Sequence, residues 1–412
     1  MAHLALLLAL VLPQFGRPSE IGELERIATS ELRLPKGTLA TQLLTLGDVD
    51  GSGADDLVLV RVQKRDCGMS PLLGALDLLS SARFPILRAQ GVRGGAILDR
   101  GTSLGEAVLL RVHREPWDDT PAVELRTLDD RNRLWSLPTD SSPIGAVYTG
   151  CLLPAASPDA ACGVIVANAW ARQEDQGTAN VSGAVARLSA VDGSTEWVHW
   201  ASDPSALFGT FLAAAGDVDG DGVHDLAVCL PDMRPTFPDA ELRAPHLEFL
   251  SGADGTRIGT RALEPAGVRT FRGIGDLDGD GRVEFVVQSS QVARDDGPPT
   301  WLLLSGRAEP VAVFPDHEVL WFVPWRALDG RAELLMGVRN RTDDARSLQL
   351  VNGEGTRRLA DCPEEHSARI FHAESGDFDG DGLTDLAVVR REAQRGRGWR
   401  ETLVVLPGTS LR

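Results

Sequence analysis

Cysteine is scarce and irregularly placed in this 412-residue chain, at Cys67, Cys151, Cys162, Cys229 and Cys362. Five such residues supply neither a disulfide scaffold nor the spacing of a zinc site. Cys151 and Cys162 could bridge a short loop, and Cys229, inside an apolar run, reads as a small buried residue. Basic residues are also short, 41 Lys and Arg against 59 Asp and Glu, for a net charge of −18. Nucleic acid requires a clustered basic footprint, so it is excluded as a partner. No apolar run reaches the length of a transmembrane helix. The longest at the N-terminus, Leu4 to Leu12, closes at Pro13 and fits the core of a secretory signal. Residues 1–19 are therefore expected to be a signal peptide, and the chain to be extracellular or periplasmic. Nucleophile motifs, phosphate-binding loops and paired metal histidines are all missing, so no catalytic residue is assigned.

Glycine and acidic residues, by contrast, are abundant and patterned. The chain writes nearly the same acidic nonapeptide four times, as DVDGSGADD from Asp48, DVDGDGVHD from Asp217, DLDGDGRVE from Asp276 and DFDGDGLTD from Asp377. Each copy offers oxygen ligands at positions 1, 3, 5 and 9, a backbone carbonyl at position 7 and Gly at position 6 for a sharp turn. That is how a short loop wraps a hard cation such as calcium. The expected ligand sets are Asp48, Asp50, Ser52, Ala54 and Asp56; Asp217, Asp219, Asp221, Val223 and Asp225; Asp276, Asp278, Asp280, Arg282 and Glu284; and Asp377, Asp379, Asp381, Leu383 and Asp385. An EF-hand would need Glu at position 12, where Leu59, Val228, Val287 and Val388 stand instead. A β-rich run follows each loop, so the loops feed strands. Four bound Ca²⁺ ions would bring the net charge from −18 to −10, which makes much of the acidity a requirement of the cations.

A second element, an apolar strand ending in a Gly turn, recurs after each loop, as in HLEFLSGADG from His246 and TLVVLPGTS from Thr402. AVELRTLDD from Ala122 and AVARLSAVDG from Ala184 match it and are followed by Trp135 and Trp197, placed to pack between repeats. Counting degenerate copies gives seven units, starting near residues 48, 98, 153, 217, 276, 327 and 377. Each reads strand, loop, strand, long connection, strand, Gly turn, strand. This predicts an all-β fold, a seven-bladed β-propeller of four-stranded antiparallel blades. Residues 20–412 are expected to form that single domain, with the segment from Glu23 to Pro35 supplying the last blade's fourth strand. Trp321 and Trp325 are assigned to core packing rather than to a sugar platform.

Around Phe208 the chain reads FGTFLAAAGDVDGDGVHDLAVCLPD. This resembles the FG-GAP repeat of integrin α-subunit propellers and their bacterial relatives; the other three copies share the acidic loop without the Phe-Gly pair. The resemblance implies about four structural calcium ions in loops between first and second strands. It does not imply an integrin, because leg domains and a membrane span are missing.

Alternation of up and down strands puts the calcium loops and Gly turns on one face and the second-to-third connections on the other. Functional residues concentrate on variable loops held by a rigid scaffold. The expected function is therefore an adhesion or recognition module, monomeric and without catalysis, that binds a protein or polysaccharide ligand on the face opposite the calcium loops. The connection 390–400 carries Arg395, Arg397, Trp399 and Arg400, suited to a carboxylate- or sulfate-bearing ligand. The competing reading is a polysaccharide lyase or hydrolase with its catalytic groups around a central channel.

Overall fold

The computed structural model describes the strands and most of the turns and acidic loops between them. Residues 1–29, 49–50, 64–72, 80–85, 114–122, 172–182, 202–206, 231–244, 290–299, 363–368, 395–397, 409–412 and some shorter stretches lie outside the described residues. The expected signal peptide and most of the long connections fall there.

Every sheet among the described residues is four-stranded and antiparallel, and there are seven. The first strand among the described residues is β1 (Ser30–Arg33). The first sheet follows, β2 (Thr38–Gly47), β3 (Asp56–Gln63), β4 (Leu73–Leu79) and β5 (Ile86–Arg93). Next come β6 (Ala96–Ser103), β7 (Glu106–His113), β8 (Val123–Thr127) and β9 (Arg133–Leu137), then β10 (Thr149–Leu153), β11 (Gly163–Asn168), β12 (Ala184–Ser189) and β13 (Thr195–Trp200). The fourth sheet is β14 (Phe211–Gly216), β15 (Asp225–Leu230), β16 (His246–Leu250) and β17 (Arg257–Ala262); the fifth is β18 (Val268–Gly275), β19 (Glu284–Ser289), β20 (Thr300–Leu304) and β21 (Pro310–Phe314). The sixth is β22 (His317–Arg326), β23 (Ala332–Asn340), β24 (Arg346–Asn352) and β25 (Gly355–Cys362). The seventh is β26 (Arg369–Gly376), β27 (Asp385–Gln394) and β28 (Gly398–Leu406), with β1 as its outer strand. There Ser30 to Arg33 pair with Val405 to Thr402.

The strands fall into two compact units. Residues 94–315 hold four sheets, and 1–93 with 316–412 hold three. Within each unit successive sheets stack face to face, because both faces of the central strands are apolar. In the larger unit Phe208 is fully buried in a core with Val185, Trp197, Val228 and Leu250, and Phe249 packs near Phe271 and Phe285 in the next. First strands lie beside one another in chain order, β6 with β10, β10 with β14 and β14 with β18. In the smaller unit β22 neighbours β26 and β26 neighbours β2. Hydroxyls tie those last two contacts. Ser375 Oγ donates to the Pro324 carbonyl at 2.5 Å, and Thr45 Oγ1 donates to the Ser375 carbonyl at 2.9 Å.

Trp135 and Trp197 do pack between sheets. Trp135 Nε1 on β9 donates to the Ala190 carbonyl at 2.9 Å, at the β12–β13 turn, and Trp197 Nε1 on β13 donates to the Gly252 carbonyl at 3.1 Å, at the β16–β17 turn. Their rings fill the space beside Gly193 and Gly255, where a Cβ would stand 2.9 and 2.6 Å from ring carbons. Each fourth strand thereby grips the next sheet's tight turn. Trp321 is likewise core, buried against Gly337. Phe208 reaches its core through a turn in which Leu207 has a positive φ of 89° and its carbonyl accepts from the Thr210 amide at 3.1 Å.

Two local expectations change. The 390–400 segment is no long irregular connection. β27 extends to Gln394 and β28 begins at Gly398, so Arg390, Arg391, Trp399 and Arg400 lie on paired strands, and 395–397 are outside the described residues. Sustained pairing satisfies the backbone donors and acceptors that a loop would leave to water. Arg391 is also engaged, its Nε donating to Glu401 at 2.7 Å. Cys151 and Cys162 are buried thiols that do not form a disulfide. Cys229 is buried as well, and burial pushes its thiol pKa strongly upward, as for an inert core residue.

Candidate metal-binding loops

Each acidic loop sits between the first and second strands of its sheet. In the first, fourth and fifth sheets the first strand ends in a register shift just before the loop, at Gly47, Gly216 and Gly275. These residues have φ of 77°, 76° and 103°, the left-handed region in which glycine carries no Cβ penalty. A Gly immediately precedes every copy of the motif, Gly376 included, so the signal was present in the sequence and was missed. Inside the loops both glycines are left-handed, at position 4 as well as 6: 83° and 86° at Gly220 and Gly222, 76° and 80° at Gly380 and Gly382.

The same hydrogen bonds recur in three copies. The position-1 carboxylate caps the turn, with Gly220 and Gly222 amides donating to Asp217 at 2.7 and 3.0 Å, Gly279 and Gly281 to Asp276 at 2.6 and 2.9 Å, and Gly380 and Gly382 to Asp377 at 2.8 and 2.9 Å. The position-9 carboxylate reaches back under the loop. Asp225 accepts from the Val218 amide at 2.7 Å, Glu284 from Leu277 at 2.5 Å and Asp385 from Phe378 at 2.8 Å. Its second oxygen accepts from a Gly just past the end of the third strand, from Gly252 at 2.9 Å, Gly306 at 3.3 Å and Gly408 at 2.5 Å. One carboxylate thus ties together two turns of each sheet. Gly is needed at those three turn positions because a Cβ would run into His224, Arg282 or Thr384.

Three carboxylates converge in each of these loops: Asp217, Asp219 and Asp225; Asp276, Asp278 and Glu284; Asp377, Asp379 and Asp385. In each trio the candidate oxygens all lie within 4.8 Å of one another. Oxygens bound at about 2.3–2.6 Å to one calcium-sized ion are at most about 5 Å apart, so each trio fits a hard divalent cation. Asp221, Asp280 and Asp381 at position 5 are outside these trios and accept their own loop's position-7 amides at 2.7, 3.0 and 2.8 Å. In the first copy Asp48 caps its loop through the Ser52 and Gly53 amides at 2.9 and 2.8 Å, and Asp56 is fully buried; Asp50 lies outside the described residues.

The electrostatics point the same way. Burial raises the Glu284 pKa to about 7, with the nearby charges of Asp278 and Asp276 adding to it against the backbone amides. Burial raises Asp385 to about 7 as well, again helped by its acidic neighbours, and raises Asp225 and Asp379. Desolvated carboxylates crowded by like charge are costly until a cation joins them.

Of the expected ligand-binding residues, Trp399 and Arg400 lie on β28 opposite Ala393 and Glu392, while Arg395 and Arg397 are outside the described residues. Among the described residues no helix is long and apolar enough to cross a membrane.

Four-stranded sheets stacked face to face, first strands side by side, and an N-terminal strand completing the last sheet define a β-propeller. Among solved structures, the chain is similar to BBS1N, whose crystal structure was determined in complex with ARL6DN. The TM-score is 0.50 at 11% identity, and the match covers 91% of this chain and 99% of that one. No family model matches the chain, and no curated protein does.

Proposed function

We propose that the chain is an exported propeller of the FG-GAP, integrin α-like kind, stapled by structural calcium and built to bind a partner rather than to catalyse a reaction. The observation that carries this is the threefold recurrence of one carboxylate trio, each locked to its sheet's Gly turn. Calcium would be held by positions 1, 3, 5 and 9 of each loop and by the carbonyls of Ala54, Val223, Arg282 and Leu383. Oxygen ligands on a flexible acidic loop suit Ca²⁺ better than Mg²⁺, which demands a tighter octahedron. The apolar run Leu4–Leu12 supports export, where free calcium is plentiful.

The partner face is the one carrying the second-to-third connections, among them the segment with Arg395, Arg397, Trp399 and Arg400. A carboxylate-rich protein surface suits that arginine chemistry. The propeller of BBS1N, crystallised with a protein partner, supports the same use of the fold.

The test is calorimetry followed by binding. Calcium titration of the purified chain should show about four sites with Kd of roughly 10⁻⁴ to 10⁻³ M, the range of extracellular modules. Heat indistinguishable from dilution would end the calcium reading. A panel of acidic proteins and sulfated polysaccharides should then yield a ligand whose affinity falls about tenfold or more in the Arg395→Ser, Arg397→Ser, Arg400→Ser variant, for loss of two charge-assisted contacts. Unchanged affinity would move the site elsewhere.

A further inference from the structure

The loops are not isolated from one another. In the larger unit the Asp217 amide donates to the Gly281 carbonyl at 3.4 Å, the Val283 amide donates to the Ala215 carbonyl at 3.1 Å, and Arg282 Nη2 donates to the Val218 carbonyl at 3.1 Å. Residues 216 and 282 form a β-bridge across the two loops. That approach depends on Gly216, where a Cβ would stand 2.7 Å from the Arg282 Cα. In the smaller unit the corresponding contact joins loops 322 residues apart. The Asp55 amide donates to the Asp377 carbonyl at 2.6 Å, and the Asp377 amide donates to Asp55 Oδ2 at 2.8 Å. Asp55 occupies position 8, outside the expected ligand set. Its carboxylate lies against Gly376, where a Cβ would be 2.8 Å from Oδ2.

The two places are alike in position, though not bond for bond. A position-1 ligand residue of one loop is hydrogen-bonded to a residue flanking position 7 of the next: Asp217 to Gly281, at position 6, and Asp377 to Asp55, at position 8. Fixing either residue as a cation ligand therefore fixes part of its neighbour's coordination loop.

We infer that the calcium sites work as two coupled pairs, 217–225 with 276–284 and 377–385 with 48–56, rather than as four independent staples. The inference rests on the calcium reading above. Filling one loop of a pair orders the other, which then binds at lower calcium. Because coupling between binding sites is reciprocal, each member must shift the other by the same factor. The arginine and aspartate that make the links, Arg282 and Asp55, differ between the pairs, so each pair can be uncoupled separately.

The experiment is hydrogen exchange with mass spectrometry on the full chain across a calcium titration, following peptides that cover 217–225, 276–284 and 377–385. Asp219 and Asp278 are exposed ligands, so Asp219→Ala and Asp278→Ala disable one loop each without opening the core. Asp219→Ala should raise the calcium midpoint for protection of 276–284 by about fivefold or more, and Asp278→Ala should do the same to 217–225 by an equal factor. Neither should move 377–385. In the other pair, Asp55→Ala should raise the midpoint of 377–385 and leave 217–225 and 276–284 unmoved, and Asp55→Asn, which keeps a side-chain acceptor, should restore it. An unchanged midpoint in the neighbouring loop overturns the coupling and leaves calcium binding intact. An equal shift in every loop also overturns it, since that is global destabilisation. No calcium-dependent protection in the unaltered chain removes the calcium reading itself.

Discussion

Chelating divalent cations is expected to lower the melting temperature of this protein by roughly 10 °C relative to the protein in millimolar calcium. Millimolar calcium is roughly 1–10 times the Kd expected of such sites, which adds about 0.4–1.4 kcal/mol of stability per site, and several sites act on one fold. The pH dependence should reverse with metal. In chelator, Glu284 and Asp385 have pKa values raised to about 7, from 4.5 and 3.8 for the unperturbed groups. A carboxylate raised in this way favours folding in its protonated form. Its contribution is complete below the unperturbed value and is lost as pH rises through about 7. The chelated protein should therefore melt higher at pH 5 than at pH 8. Calcium binds the ionised carboxylates, so the gap between loaded and chelated melting temperatures should widen over the same interval. Thermal scans at four or five pH values, with and without metal, measure both effects. A gap that does not change with pH would mean that these carboxylates are not the ligands.

Trp197→Ala should be among the most destabilising single changes in the chain, at about 3–5 kcal/mol by the usual cost of removing a buried large aromatic. The indole is buried in the core shared by the third and fourth sheets, fills the space beside Gly255 and satisfies the Gly252 carbonyl. Gly252 also donates its amide to Asp225, so the loss should reach the acidic loop. Denaturant unfolding should show the lost stability, and calcium affinity at 217–225 should fall with it. Trp197→Phe keeps most of the packing and removes only the Nε1 hydrogen bond, for which about 0.5–1.5 kcal/mol is expected. If the alanine variant costs no more than the phenylalanine one, the ring is not what joins the two sheets.

What the sequence by itself determined was local. Oxygen donors at spacings 1, 3, 5 and 9, with glycine where the chain must turn left-handed, describe a candidate cation loop without reference to any other part of the protein. The strand after each loop follows from a short β-rich run, and the seven repeats from counting those runs together with the Gly turns. Trp135 and Trp197 could be placed between sheets because a large aromatic at a strand end needs a neighbour to cover it. The Gly before each loop was equally local and was passed over.

Other features depended on groups far apart in the chain. The position-9 carboxylate reads as a ligand from its loop alone, yet one of its two oxygens accepts from a Gly more than twenty residues later. The run from Arg390 to Arg400 carries little apolar alternation, so it reads as a loop. Its two ends, up to Gln394 and from Gly398, are paired strands because each satisfies the other's backbone. The contact of Asp55 with Asp377 exists only because the last sheet packs beside the first, with their first strands adjacent. Turn stereochemistry and ligand chemistry act over a few residues and are written in consecutive letters. Which loop touches which is set by how sheet faces stack to bury their apolar sides, and only the tertiary structure decides that.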